Sequence, residues 1–139
     1  ANARENASVI SDHVGMSVSA VIERIRKLEA SGLIRKHTTI IDNKKAGKDI
    51  TAFMFISLEH PKYIERINAF VRENKEILEC HYITGDADFI IKVVTKNTQT
   101  LERLLNDVKS VSGVMATRTI VILSTIKEEF SVDPEELLK

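Results

Sequence analysis

Val14-Gly15-Met16-Ser17-Val18-Ser19-Ala20-Val21-Ile22-Glu23-Arg24-Ile25-Arg26-Lys27-Leu28-Glu29-Ala30-Ser31-Gly32-Leu33-Ile34 reads as a turn followed by an amphipathic helix. At about 100° per residue, Val18, Val21, Ile25 and Leu28 share one side. Ser19, Ala20, Glu23 and Lys27 fall on the other, with Arg24 and Arg26 flanking. Gly32 stands just past the last apolar position, where a helix C-cap is expected. Upstream, Ala7, Val9, Ile10 and Val14 predict a shorter helix with Asn6 as its N-cap and Gly15 ending it. Downstream, residues 33–41 contain Ile34, Thr38, Thr39, Ile40 and Ile41, a composition that predicts an extended wing or hinge strand. Helix, tight turn, longer helix and strand together predict an N-terminal (winged) helix-turn-helix.

Outward from this segment lies the polar run Asp42-Asn43-Lys44-Lys45-Ala46-Gly47-Lys48-Asp49, which has no apolar periodicity and reads as a linker. Beyond it the order is strand, helix, strand, strand, helix, strand. Residues 52–58 are nearly all apolar, and Pro61 suits the first turn of a helix carrying Ile64, Ile67, Phe70 and Val71. Residues 78–83 and 89–94 are two strands joined across Thr84-Gly85-Asp86-Ala87-Asp88. A second helix carries Leu101, Leu104, Leu105 and Val108, ends near Gly113, and leads into a long strand over residues 115–126. With right-handed crossovers, this order gives an α+β, ferredoxin-like βαββαβ domain: a four-stranded antiparallel sheet with both helices on one face. Phe53-Met54-Phe55-Ile56 and Ile120-Val121-Ile122-Leu123 are apolar at odd and even positions alike, so both sheet faces seek cover. Two helices cover only one face, which predicts a homodimer through the other. The expected division is residues 1–36 for the helix-turn-helix, 37–50 for hinge strand and linker, and 51–139 for the ferredoxin-like domain.

The composition fits this plan. A length of 139 residues allows one ordinary domain or two small ones, and 43% hydrophobic with 29% charged residues suits a soluble folded chain. No apolar run approaches the roughly 18 residues of a membrane span, and no secretory signal opens the sequence, so a cytoplasmic protein without membrane partners is expected. Cys80 is the single cysteine and has no disulfide partner in the chain. The net charge is zero, but residues 1–48 hold 9 Lys/Arg against 5 Asp/Glu (+4), and residues 49–139 hold 11 against 15 (−4). The basic half is the half with the helix-turn-helix, as phosphate attraction requires. The candidate DNA-contacting residues are Ser17, Val18, Ser19, Ala20, Glu23, Arg24, Arg26 and Lys27. Small residues at the helix start allow close approach to base edges, and Arg24, Arg26 and Lys27 can reach phosphates or, for an Arg, guanine. A carboxylate at Glu23 is tolerated beside DNA only if it accepts from a cytosine or pairs with a nearby cation.

The stretch quoted first resembles the leucine-responsive and asparagine-responsive (Lrp/AsnC, feast or famine) regulators, whose pattern there is V-G-L-S-x-S-x-V-x-x-R-I-x-x-L-E-x-x-G-V-I. The similarity continues through Ile41-Asp42 and the Thr84-Gly85-Asp86 turn. Two positions depart from it: Val18 stands where Pro is frequent, and Glu23 where an uncharged or basic residue is common. The base preference of this helix is therefore its own. The resemblance implies a further stretch of helix ahead of Ala1, so the first helix is expected to be incomplete. It also implies a sequence-specific, nucleoid-associated transcriptional regulator of double-stranded DNA. Such a regulator is a homodimer assembling to an octamer or higher, and its assembly and DNA binding respond to an amino acid. Taken alone, Gly85-Asp86 is an ordinary hairpin signal. The resemblance places this turn between dimers, making Thr84, Gly85, Asp86, Ala87 and Asp88 candidate effector contacts, with Ser124 and Thr125 as a second wall.

Two other classes fit parts of the sequence: an architectural DNA binder without effector response, and an amino-acid-binding regulatory module that leaves the basic helix unused. No cofactor, catalytic site or metal site is expected. His13, His37, His60 and His81 are scattered without ligand spacing, and Cys80 and His81, adjacent in a strand, point to opposite faces. Asp86 and Asp88 lie in a tight turn that offers no enclosed pocket for acid–base work.

Overall fold

The computed structural model describes residues 9, 11–12, 15–36 and 38–133. These gather in two units, one formed by the chain up to Ile41 together with residues from Lys127, the other by Asp42–Ile126. In the first unit Val9, Ser11 and Asp12 are helical, while the predicted contributions of Asn6, Ala7, Ile10 and Val14 lie outside the described residues. Ser11 closes the intervening turn twice over: its carbonyl accepts from Gly15 N at 3.0 Å, and its hydroxyl donates to the Met16 carbonyl. Helix α1 then runs Val18–Ala30, with Ser17 as N-cap accepting from Ala20 N at 3.1 Å. Its end is a Schellman motif: Gly32, at φ +86°, donates to Glu29 O at 3.0 Å, and Leu33 donates to Leu28 O at 2.9 Å. Only glycine adopts that φ without strain. Val21 and Ile25 are buried, with Met16, Ile22 and Ile34 packed around them.

The predicted wing strand is absent among the described residues of 33–41. The reason lies in the cap: the amides of Leu33 and Ile34 both turn back to Leu28 O, so neither is available to a strand ladder. The polar run that follows is an ordered turn. Asp42 accepts from Lys45 N through its side chain at 3.1 Å and from Ala46 N through its carbonyl at 3.1 Å, and Lys48 N returns to Asn43 O at 2.8 Å.

The second unit is the βαββαβ domain. Strand β1 is Ile50–Leu58, a 3-10 turn Pro61–Tyr63 leads into α2 Ile64–Glu73, and β2 Ile77–Tyr82 and β3 Phe89–Thr95 follow. Helix α3 is Thr98–Lys109 and β4 is Val114–Val121. The strands form one antiparallel sheet in the order β2-β3-β1-β4. Alternation decides the faces. Ala52, Met54, Ile56 and Leu58 of β1 are buried with Phe89, Ile91 and Val93 of β3, against Ile67 of α2 and Leu101, Leu104 and Val108 of α3. The intervening residues point the other way: Phe53 sits between Lys92 and Ile120, and Phe55 between Ile90 and Arg118. Both helices therefore cover one face, and the other carries aromatic and branched side chains with no helix of this unit upon it.

The last strand is shorter than its β-rich sequence suggests. It pairs as far as Ala52↔Val121, Ile122 N still donates to Thr51 O at 2.9 Å, and only Ile50 of β1 lies beyond that bond. Residues 123–126 consequently leave the sheet, and Leu123 and Ile126 are exposed.

Candidate DNA-binding helix and effector cavity

The buried stripe of α1 orients the whole helix. With Val21 and Ile25 inward, Ser19, Ala20, Glu23, Arg24, Arg26 and Lys27 are exposed, and Val18 and Ile22 are half-buried at the margin. Two of the predicted contact residues thus have internal duties: Ser17 caps the helix, and Val18 borders the packed side. The exposed face presents two arginines and a lysine. Glu23 does pair with a cation, since Arg26 Nη1 lies 3.0 Å from its carboxylate across one helical turn. That contact neutralises part of the repulsion a carboxylate would exert on phosphate and fixes where the Arg26 side chain starts from.

The turn after β2 is bolted to β1. Ile83 N donates to Asp88 O at 2.9 Å, Asp88 N to Ile56 O at 2.9 Å, and the Asp88 carboxylate accepts from Leu58 N at 2.7 Å. Held this way, the turn stands over the uncovered end of the sheet and walls one side of an open cavity of about 440 Å³. Ile83, Thr84, Asp86 and Ala87 line one side, Phe55 and Ser57 of β1 the floor, and Ala116, Thr117 and Arg118 of β4 the other side. Of the residues predicted for an effector, Thr84, Asp86 and Ala87 therefore meet in one place. Gly85 lies in the same turn without lining the cavity, and Asp88 is engaged by the backbone of β1. Ser124 and Thr125 lie past the end of β4 and outside the cavity wall. The wall instead comes from the middle of β4, and Phe55, Ser57, Ala116, Thr117 and Arg118 were not legible as a group. The signal for them is cross-strand register, Phe55 opposite Arg118 and Ser57 opposite Ala116.

Neighbouring groups have structural roles. Glu79 on β2 accepts from His81 at 3.0 Å and lies 3.6 Å from Lys92 Nζ; the bond to His81 and the two positive neighbours hold its carboxyl below the ordinary 4.5 against the opposing effect of burial. Cys80, between them, turns to the helix-side core, and burial pushes its thiol up. Among the described residues no helix is long and apolar enough to cross a membrane.

Two sequence families divide this chain between them. The Lrp/AsnC ligand binding domain matches residues 51–132, and a winged helix-turn-helix DNA-binding domain matches residues 1–35. The chain belongs to the Lrp/AsnC family. It is a DNA-binding transcriptional regulator of that type, with the α+β architecture the sequence predicts. Among its relatives, the HTH-type transcriptional regulator FL11 of Pyrococcus horikoshii is 39% identical over 86% of this chain and 78% of its own length. Its fold superposes on that of a transcriptional regulator from Neisseria meningitidis, solved as an L-Met complex, with a TM-score of 0.82 at 24% identity, covering 96% of this chain and 91% of the other. The feast or famine regulatory protein from M. tuberculosis, complexed with L-methionine, gives a TM-score of 0.72 at 25% identity over 93% of this chain and 92% of its own.

Proposed function

We propose that this Lrp/AsnC regulator reads DNA with α1 and changes its assembly and DNA affinity when an amino acid enters the cavity beneath the 83–87 turn. The observation that carries this reading is the cavity itself. It joins a polar turn, an apolar floor and both signs of charge within a volume suited to a small ligand. The L-methionine in the M. tuberculosis relative supports an amino acid as the ligand class. Residues 1–36 serve DNA contact, 37–50 the connection and 51–139 effector binding and assembly, without a catalytic step or cofactor. On α1, Ser19, Ala20, Glu23, Arg24, Arg26 and Lys27 meet the groove, with Ser17 and Val18 at its edge. The protein works in the cytoplasm on the nucleoid, as a homodimer through the uncovered sheet face that assembles further, to an octamer or higher. Effector bound near that face then favours one assembly and so respaces the recognition helices along DNA.

Thermal-shift screening with the twenty amino acids, followed by sedimentation and gel-shift with the responding one, tests the switch. A ligand that raises the melting temperature should also shift the sedimentation profile and the DNA affinity. Indifference of all three at millimolar ligand would leave a regulator without this switch.

A further inference from the structure

We infer that Arg118 anchors the α-carboxylate of the effector and that the cavity selects amino acids with an uncharged, apolar side chain; this rests on the effector reading above. Arg118 projects from the middle of β4 onto the uncovered sheet face and into the cavity, with its guanidinium 4.6 Å from the centroid of the Phe55 ring. Among the described residues no carboxylate pairs with it. The acidic side chain of that face, Glu79, is already engaged by His81 and Lys92. A guanidinium carried over an aromatic face is held in place without losing N–H donors, so its fork stays free for a planar, bidentate acceptor. A carboxylate is that acceptor.

The rest of the lining fixes the other end of the ligand. Asp86 supplies the one negative side chain of the wall, on the turn opposite β4, and can receive an ammonium. One cation and one anion on facing walls match a zwitterion and leave no fixed charge for a third ionised group. What remains around them is Phe55, Ile83, Ala87 and Ala116, apolar, with three small hydroxyl residues. A charged effector side chain would find no opposite charge left in the lining, whereas an aliphatic or thioether one would pack on Phe55, Ile83, Ala87 and Ala116.

The test is calorimetric titration of the full-length protein with L-leucine and L-methionine. L-glutamate, L-lysine and the α-amide L-leucinamide serve as controls, on the wild type and on Arg118→Gln and Arg118→Lys. The apolar amino acids should bind. Leucinamide should bind roughly 10–100-fold more weakly for want of the charge-assisted pair with Arg118, and the two charged amino acids at least about tenfold more weakly because their side-chain charge finds no partner. Arg118→Gln should weaken leucine and methionine by a similar factor and leave leucinamide unaffected, with Arg118→Lys in between. Equal binding of leucine and leucinamide to the wild type overturns the proposal without reference to any variant. Undiminished leucine and methionine binding to Arg118→Gln overturns it while the effector reading stands, and so does preferential binding of glutamate or lysine. If no amino acid binds the wild type, the effector reading fails and this inference falls with it.

Discussion

Gly113 shows how one missing atom holds the second unit together. It ends the turn from α3 into β4 at φ +93°, its carbonyl accepts from Glu59 N at 2.8 Å, and a Cβ added there would stand 2.0 Å from Tyr63 Cγ. Gly113→Ala therefore meets backbone strain and a side-chain collision at once. It should cost about 2 kcal/mol or more in urea unfolding, whereas an alanine tolerated without loss would mean that Tyr63 swings away freely. Glu79 offers a test by pH. Its folded pKa lies below 4.5, so the stabilisation it brings is present above that value and disappears as the pH falls through the folded one. The side chain is 46% exposed, and screening keeps the gain well under about 1 kcal/mol. Glu79→Gln should be slightly less stable than wild type at neutral pH, with the two unfolding curves converging in acid; a gap that persists or widens in acid would contradict the assignment. The hydroxyl of Thr119 is buried without a hydrogen-bond partner among the described residues. Thr119→Val removes an unpaired polar group at nearly constant shape, so its melting temperature should hold or rise.

Among elements, α1 is the proposed reader of DNA and shows how far local sequence reaches. Arg24 and Lys27 are exposed on it, and on the proposed reading they contact phosphate, so replacing either with Ala should weaken binding and flatten the dependence of log affinity on log salt by about 1. Glu23→Gln should act in the opposite direction, because it removes a carboxylate from the approaching face and releases Arg26. Gel-shifts across a salt series check both signs, and parallel salt slopes in all three variants would move the interface off this helix. This helix was legible because its signals are local: Val21 and Ile25 at helical spacing, Ser17 before it and Gly32 after it. The β-strands were legible for the same reason, through short apolar runs such as residues 52–58 bounded by turn and helix signals such as Pro61. What escaped depends on partners distant in the chain. The β-rich composition of residues 33–41 and 122–126 does not say whether a neighbouring strand exists. Leu33 and Ile34 are drawn into a helix cap, and residues after Leu123 outrun the start of β1 at Ile50. The cavity was half legible, through the 83–87 turn. Its opposite wall at Arg118 is set by the β1–β4 register, which no short stretch encodes.

For the whole molecule, the uncovered sheet face is the proposed link between sensing and DNA reading. Phe53, Phe55 and Ile90 lie half-buried on it, Ile120 is 48% exposed, and the cavity beneath the 83–87 turn opens at its end. An apolar face rimmed by polar residues marks a contact surface, and a helix-turn-helix protein reading two half-sites needs two copies. A second copy of the same face satisfies both demands, and it places the cavity beside the contact that an effector would have to bias. Ile120→Lys tests this directly. The substitution lies outside the helix-side core, so the isolated fold should persist with an unchanged far-UV circular dichroism spectrum. The new ammonium would stand across from Phe53 and on the same face as Arg118 and Lys92, adding a third cation to a surface that must desolvate on pairing. An unpaired charge buried at an interface costs several kcal/mol, which raises the dimer dissociation constant on the order of 100-fold or more. Sedimentation at micromolar protein should then show monomer, and affinity for a two-half-site DNA should fall far more than affinity for a single half-site. A variant that sediments as wild type would place the dimer contact on some other surface and detach the cavity from it.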